Sequence, residues 1–419
     1  MKRFVSGLAA VLVSIIAHAQ TMPLYTPAAG SDLKPVVDSI GSGSAVISLA
    51  PGNYTASNTL NLNSGQSIVA PQGSATITWA GPAAGVMIRV RGSLGPLLTT
   101  ISSTTDCDTA IFSGTQQDGL VLISRTVTDP NNTNNTQLRA EDNELMSGKL
   151  RRRPILYYPA GADLYRINPV SKVTLRNIAI SAGNASQALD IEWATDFRME
   201  SCTVGGGDWG MNVANSFRTT IDRCRFEHQT GSTVSQGIHV ESSTGGTISG
   251  NTIINEGVTG IVLNPGTWFY SLTNNEIYGT GTDTFPGNPP GRGGDGIHLV
   301  GAGATLITNN RILGANCYGI WLVAQNEDTV IANNVVVGGI TAGVAVNNNA
   351  SPSSRRTIMT GNVLLNNKGG AFGVYSAYGA IVRENVIDRT PVTREEYWDA
   401  SDPTVDYSAY LRFDFKIFP

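Results

Sequence analysis

Short runs of apolar residues at alternate positions recur along residues 177–385, each with a polar residue, mostly Asn, between them. Alternation with a period of two predicts β-strands, and no window has the 3.6-residue period of a long helix. The recurring unit therefore predicts an all-β structure. Its central residues are Asn177, Cys202, Cys224, Asn251, Asn275, Asn310, Asn334, Asn362 and Asn385.

These nine positions are spaced 22 to 35 residues apart. A spacing of this size is typical of a solenoid in which each repeat forms one coil. Strands this short bury apolar surface only when they stack in register, about 4.8 Å from the coils above and below. We therefore expect a β-solenoid with a ladder of Asn amides, in which Asn also occupies the tight turns.

A second column runs in phase with the first and consists of a Gly followed by an apolar–any–apolar triplet. It reads GMNV at 210–213, GIHV at 237–240, GIVL at 260–263, GIHL at 296–299, GIWL at 319–322, GVAV at 343–346 and GVYS at 373–376. The middle residue of each triplet should point outward. These outward positions are Asp190, Asn212, His239, Val262, His298, Trp321, Ala345 and Tyr375, and one step further along the strand Glu192, Ala214, Glu241 and Asn264.

The two columns resemble the single-stranded right-handed parallel β-helix of the pectate-lyase-like superfamily, over roughly residues 32–390. The stretch ISLAPGNYTASNTLNLNSGQSIVA at 47–70 looks like the first coil of that superfamily. The resemblance implies a substrate groove along the Gly-led strands. It does not imply one activity, because the superfamily includes lyases, hydrolases, epimerases and adhesins. The Ca²⁺-binding Asp cluster of pectate lyases, the polygalacturonase motifs and the DPH motif of mannuronan epimerases are absent from this sequence.

The ends of the chain suggest further segments. Residues 1–19 read as a secretory signal with a charged start, an apolar run and an Ala17-His18-Ala19 cleavage site, which predicts a secreted or periplasmic protein. Residues 20–46 are expected to be an N-terminal lead and cap with a helix around 32–40. The β-helix is expected at 47–390, with poorer coils up to 124 and an excursion at 125–170. The aromatic tail at 391–419 should cap the last coil or serve as an oligomerisation strand.

Composition narrows the classes of partner that we expect the protein to bind. With 47 Gly, 14% charged residues and a net charge of −4, the chain has no basic stripe for nucleic acid, and no later stretch is long enough for a membrane span. Cys202 and Cys224 share a ladder position in adjacent coils, so either stacked thiols or a disulfide would fit there.

The Gly-led face carries the candidate chemistry. Acid or base roles are assigned to Asp190, Glu192, His239, Glu241 and His298, and substrate binding to Asn212, Arg292, Asp295, Trp321 and Trp209. The carboxylate pairs of two alternate coils would lie about 9–10 Å apart. That distance is close to the roughly 6.5–9.5 Å that inverting glycoside hydrolysis requires. A Gly/Pro-rich insertion at 279–294 directly precedes the strand of His298, where binding loops are common.

We therefore expect an enzyme that cleaves glycosidic bonds in a polysaccharide, with hydrolysis preferred over elimination. Elimination would use His239 and His298 with Arg292 or Arg225 as the cation. The alternatives are a non-catalytic glycan-binding adhesin or tailspike-like protein, and a structural homo-oligomer. No cofactor is expected. Asp190, Glu192 and Glu241 could bind Ca²⁺, but no ligand spacing supports it.

Overall fold

The computed structural model describes residues 22–100, 121–126, 136–141, 163–227, 235–254, 257–281, 294–323, 326–347, 354–375, 379–388 and 415–418. Within these ranges the chain winds repeatedly through three long parallel sheets, which we call A, B and C. Each coil contributes one short strand to each sheet in that order, so the predicted all-β solenoid is confirmed.

The strands of all three sheets are short and stack in coil order. Sheet A consists of Leu24–Tyr25, Ala45–Ser48, Gln66–Val69, Thr174–Arg176, Arg198–Glu200, Thr220–Asp222, Thr247–Ser249, Ser271–Thr273, Leu306–Thr308, Val330–Ala332, Ile358–Thr360 and Ile381–Arg383. Sheet B consists of Gly52–Ala56, Ala75–Trp79, Ile178–Gly183, Thr203–Gly206, Arg225–Glu227, Thr252–Ile254, Glu276–Tyr278, Arg311–Leu313, Val335–Val337, Val363–Leu365 and Val386–Asp388. Sheet C consists of Leu60–Leu62, Val86–Arg91, Gln187–Glu192, Trp209–Ala214, Gln236–Glu241, Thr259–Leu263, Ile297–Val300, Tyr318–Val323, Ala342–Asn347, Phe372–Tyr375 and Phe415–Phe418.

The core is a continuous apolar column inside the three sheets. The middle residue of each short strand in sheets A and B points inward, as Ile248 and Ile253 do, and both side chains are fully buried. Sheet C contributes two inward residues per strand, for example Ile238 and Val240. Because each coil covers its neighbours, strands of three residues become stable without a helix or a second layer.

A helix, Lys34–Ile40, covers the first coils. It has a Pro in its first turn and ends at Gly41, which adopts a φ of 61°. Val37 and the preceding Leu33 are buried in the core at this end of the solenoid. The helix lies within the range 32–40 that the sequence predicts for a cap.

The Asn ladder is present and runs from Asn251 to Asn385. Asn275 shows the pattern, since its Nδ2 donates to the Ile248 carbonyl of the preceding coil and to Asn310 Oδ1 of the next, both at 2.9 Å. Its backbone N–H also donates to Asn310 Oδ1 at 3.0 Å. Each buried Asn of the ladder therefore links its own coil to both neighbouring coils.

The predicted place of Asn177 in this ladder is wrong by one residue. Ala179 pairs with Thr203, so Ile178 lies at the level of Cys202, while Asn177 has a φ of 57° and occupies the left-handed turn before it. In later coils, two consecutive Asn residues occupy the turn position and the ladder position. Asn274 takes the left-handed turn and Asn275 forms the ladder.

Cys202 and Cys224 are buried free thiols in adjacent coils and do not form the alternative disulfide. The Cys202 thiol donates to the Glu200 carbonyl and the Cys224 thiol to the Asp222 carbonyl, each at 3.3 Å. Cys224 N–H donates to Asn251 Oδ1 at 2.8 Å, so the Cys pair continues the ladder where Asn is missing.

The chain leaves the solenoid between Arg91 and Val170. A four-stranded antiparallel sheet forms there, in the order Thr136–Glu141, Val121–Thr126, Asp163–Asn168, Ser93–Thr100. The excursion includes Ser93–Thr100, which the sequence places among the poorer coils. Val170–Ser171 then pairs with Ala194–Thr195, and the coils on either side of the excursion stack directly on each other.

The predicted terminal segments are only partly within the described residues. The secretory signal at 1–19 and most of the aromatic tail lie outside them. Arg292, a predicted substrate-binding residue, also lies outside the described residues. From that tail, Phe415–Phe418 pairs in parallel with Phe372–Tyr375 as the last strand of sheet C.

Candidate functional site on the outer face of sheet C

The register of sheet C places the outward residues in the predicted order from Asp190 to Ala345. Two ends of this column differ from the prediction. Ala345 lies beside Gly373 and not Tyr375, because the last Gly-led tetrapeptide is out of phase by two residues. At the other end, Arg89 precedes Asp190, a neighbour that the sequence analysis missed.

Glycine at the start of these strands is required by a close approach of neighbouring coils. A Cβ on Gly319 would lie 2.1 Å from the Val336 side chain and 2.6 Å from the Gly343 carbonyl. The Gly-led motif is thus a packing requirement of the corner before sheet C. It positions the face but carries no chemistry.

Part of the outward middle column of this face is buried, which the sequence does not predict. Asp190 is 3% exposed and His239 is 5% exposed, although both point away from the core. The outward residues of sheets A and B are half-buried or exposed, as the burial of Arg198, Thr220 and Arg225 shows. A row of buried polar groups on one face of a repetitive fold marks the candidate site.

At the N-terminal end of the face lies an ionic cluster, which comprises Arg89, Arg91, Asp190, Glu192 and Asn212. Asp190 Oδ2 accepts from Arg89 Nε at 3.2 Å and from Arg91 Nη2 at 3.0 Å, and its Oδ1 accepts from Asn212 Nδ2 at 3.2 Å. Arg91 Nε also contacts Glu192 Oε2 at 2.7 Å. Because both oxygens of Asp190 are engaged, its carboxylate is suited to positioning and poorly suited to the predicted proton transfer.

Glu192 and Glu241 occupy the outermost column, one on each side of Ala214. Burial raises the pKa of Glu192 above its ordinary value and outweighs the Arg91 cation, and the neighbouring Asp190 and Glu241 charges add to the rise. The His239 side chain holds the pKa of Glu241 below its ordinary value. Two strand spacings separate the two residues by about 9.6 Å along the stack.

His239 is held by three contacts. Its Nδ1 lies 2.6 Å from Gln236 Oε1, its Nε2 lies 3.2 Å from Asn264 Nδ2, and its ring stacks on Trp209 with centroids 4.5 Å apart and planes at 9°. Both nitrogens are used, and one face of Trp209 is occupied by His239 instead of being free for a sugar.

Val262 lies between His239 and His298 and divides the face. Beyond it lies an aromatic cluster, which comprises Asp295, His298, Tyr318 and Trp321. The His298 ring stacks on Trp321 with centroids 4.3 Å apart, and Tyr318 stacks on the same indole at 4.9 Å. Asp295 Oδ1 accepts from the Tyr318 backbone N–H at 3.1 Å, and its Oδ2 lies 3.3 Å from His298 Nδ1.

Burial dominates the acid–base behaviour of this cluster. It raises the pKa of Asp295 to about 7 and lowers the pKa of His298 to about 4. His298 Nε2 and Trp321 Nε1 are buried and have no hydrogen-bond partner among the residues that the structure describes. Two unsatisfied nitrogens within one aromatic stack distinguish this cluster from its surroundings.

Several predicted or overlooked residues change their assignment. Arg225, one of the cations considered for elimination, lies on sheet B and not on this face, and it pairs with Glu227 at 2.7 Å. Arg91 and Tyr318 were overlooked, and Tyr318 lies three residues before Trp321, outside the period-two pattern that predicts the outward column. Among the described residues no group of three or more His, Cys, Asp or Glu is arranged to hold a metal ion. Nor does that part of the chain include a helix long and apolar enough to cross a bilayer.

The stacked coils, the buried ladder and the three parallel sheets define the chain as a parallel β-solenoid. The family model for the right-handed β-helix region matches residues 103–281 and 232–387. The chain therefore belongs to the right-handed β-helix family, as the resemblance to pectate-lyase-like proteins implied. No curated protein sequence matches it.

Solved structures with the same fold differ widely in what they do. The tailspike gp61 of Pseudomonas phage phi297 has a TM-score of 0.58 at 12% identity, covering 86% of this chain and 68% of the tailspike. DFA-IIIase from Arthrobacter chlorophenolicus A6 has a TM-score of 0.53 at 13% identity, covering 88% of this chain and 85% of the enzyme. At these identities the likeness shows the fold alone, so function must be argued from the site.

Proposed function

We propose that the chain is a carbohydrate-active hydrolase that cleaves glycosidic bonds with inversion, with Glu192 as general acid and Glu241 as general base. The observation that carries this proposal is the opposite displacement of two carboxyl pKa values on one face. In such enzymes the surroundings of the two carboxyl groups move their pKa values in opposite directions, so that one group acts as the acid and the other as the base.

The geometry supports inversion more than retention. The backbones of Glu192 and Glu241 lie two strand spacings apart, about 9.6 Å, whereas retaining enzymes bring their carboxyl groups to roughly 5 Å. Ala214 contributes only a methyl group between the two side chains. A separation of this size leaves room for a sugar and the attacking water.

In the proposed reaction Glu192 donates its proton to the glycosidic oxygen as the bond to the anomeric carbon breaks. Glu241 takes a proton from the water whose oxygen bonds to that carbon from the opposite side. Arg91 Nε lies 2.7 Å from Glu192 Oε2, and the His239 side chain lowers the pKa of Glu241, which favours the ionised form that a base needs. We take a carbohydrate as the substrate class because of the fold. DFA-IIIase, solved in complex with GF2, has the same fold.

The test is a depolymerisation screen on neutral and uronate polysaccharides, with reducing ends, unsaturated products and the anomeric form of the first product all measured. Glu192→Gln and Glu241→Gln should each lower kcat by about 10²–10⁴. Glu276→Gln is the matched control, since Glu276 lies on the exposed outer face of sheet B. Product of inverted configuration is expected. Unsaturated product, or full activity in both variants, would show that the assignment is wrong.

Glycan binding without cleavage is the second candidate, favoured by the engaged state of Asp190 and His239. Retained binding with no cleavage across the screen would support it. Sedimentation of the same sample would test homo-oligomerisation. Export to the periplasm or medium is a separate proposal, and a mature N-terminus at Gln20 would support it.

A further inference from the structure

Two histidines on sheet C have nearly the same surroundings, yet only one is fully satisfied. Each stacks on a tryptophan, and each has a polar partner for Nδ1 three residues earlier, Gln236 for His239 and Asp295 for His298. The Nε2 atoms differ, because that of His239 has Asn264 while that of His298 has no partner within the described part of the chain.

The strand register traces this difference to a single residue in the next coil. Asn264 lies one coil beyond His239, at the outermost column next to Glu241. The corresponding residue one coil beyond His298 is Val323, which pairs with Val300 and offers no hydrogen bond. Val262 and Ala345, the neighbours in the middle column, are also apolar and buried.

An unsatisfied buried polar atom costs roughly 1–3 kcal/mol, so native proteins rarely leave two together without a purpose. Here the second atom is Nε1–H of Trp321, in the ring stacked on His298 at 4.3 Å. An indole N–H can only donate, whereas a neutral imidazole nitrogen can donate or accept. A group that both accepts and donates would therefore satisfy both rings.

The charges on the neighbouring strands of sheet C favour a neutral ligand group. No Lys or Arg occurs in the four strands Thr259–Leu263, Ile297–Val300, Tyr318–Val323 and Ala342–Asn347. Asp295 provides an acidic group, and burial keeps His298 neutral by lowering its pKa to about 4. A carboxylate ligand would gain no cation from these strands, whereas a hydroxyl group fits the two nitrogens and the apolar neighbours fit a carbon-bound face of a ring.

We infer that Asp295, His298, Tyr318 and Trp321 form a binding subsite for a neutral, hydroxyl-bearing sugar ring. Both nitrogens are buried in the unliganded structure, so the two rings must move apart for one hydroxyl to contact Trp321 Nε1 and His298 Nε2. The subsite lies two to three coils beyond Glu241 on the same face, and it would exist whether or not Glu192 and Glu241 cleave the chain. His298 is accordingly a binding residue and not the acid or base that the sequence suggests.

Calorimetric titration with neutral hexasaccharides of glucose, mannose, xylose and fructose, and with oligogalacturonate, tests this inference. At least one neutral oligosaccharide should bind, and the uronate should bind no better. Trp321→Phe keeps an aromatic ring and removes the donor, so affinity should fall about tenfold. Trp268→Phe is the matched control at the turn against Gly303, and its affinity should stay within twofold.

Val323→Asn is the sharper variant because it supplies His298 with the amide that His239 has. It should raise the melting temperature and weaken binding of the sugar at least tenfold, and Val323→Thr provides a smaller change should the Asn variant fold poorly. The inference is wrong if no neutral oligosaccharide binds, or if Trp321→Phe and the Val323 variants all bind as the natural protein does.

Discussion

The outer faces of sheets B and C share one register and one alternation, but they place their charges in different environments. On sheet B, Arg225 and Glu227 pair at 2.7 Å with 48% and 40% of their side chains exposed. On sheet C, Asp190 pairs with two arginines while its own side chain is 4% exposed. The same type of ion pair is solvated on one face and desolvated on the other. Burial and not periodicity therefore distinguishes the face that can do chemistry.

Removing the cations of the ionic cluster should have the largest effect on the difference between the two faces. The double variant Arg89→Ala/Arg91→Ala would leave the buried Asp190 carboxylate with only the amide of Asn212. We expect the free energy of unfolding to fall by about 3–5 kcal/mol, measured by urea denaturation near neutral pH. Adding Asp190→Asn should recover a large part of the loss, because it removes the uncompensated charge. A loss below 1 kcal/mol would mean that Asp190 is solvated after all.

A second test uses pH, because burial moves the pKa values of Asp295 and His298 in the aromatic cluster in opposite directions. With its pKa raised to about 7, Asp295 contributes stability at low pH that is lost as pH rises from about 4 to 7. With its pKa lowered to about 4, His298 contributes stability above about 6.5 that is lost as pH falls to 4. The two slopes oppose each other between pH 4 and 6.5 in the natural protein.

Single variants should separate these slopes. His298→Asn should become less stable as pH rises from 4 to 7, and Asp295→Asn less stable as pH falls from 6.5 to 4, each by about 1–3 kcal/mol. Melting temperatures across that range measure the effect. Slopes of the same sign in both variants would contradict the opposed displacement of the two pKa values.

The smallest effect is expected on sheet B. Arg225→Ala removes an exposed ion pair and should change the free energy of unfolding by no more than about 1 kcal/mol, with less effect still at high salt. Urea denaturation alongside the sheet C double variant gives the direct contrast. A loss comparable to that of the double variant would remove the distinction between the two faces.

Most of the fold could be predicted from the sequence, because in-and-out alternation and the Asn spacing are consequences of stacking itself. Errors arose where one residue type has two roles, as with Asn177 in the turn and Asn251 in the ladder. The site was harder to predict. The sequence correctly places Asp190, Glu192, His239 and His298 on the outer face of sheet C, but burial of outward side chains leaves no mark in the alternation. Arg89 and Arg91 were missed because the excursion separates them from their partners by about a hundred residues.

That separation has a consequence for how the chain is built. Coils before the excursion pair with coils after it in all three sheets, through Gln66–Val69, Ala75–Trp79 and Val86–Arg91, and ion pairs between Arg91 and Asp190 cross the same seam. The two parts present matched surfaces, as the subunits of a heterodimer do. A chain cut within the excursion should yield fragments that recognise each other in solution, and the natural linkage acts by raising the effective concentration of one for the other.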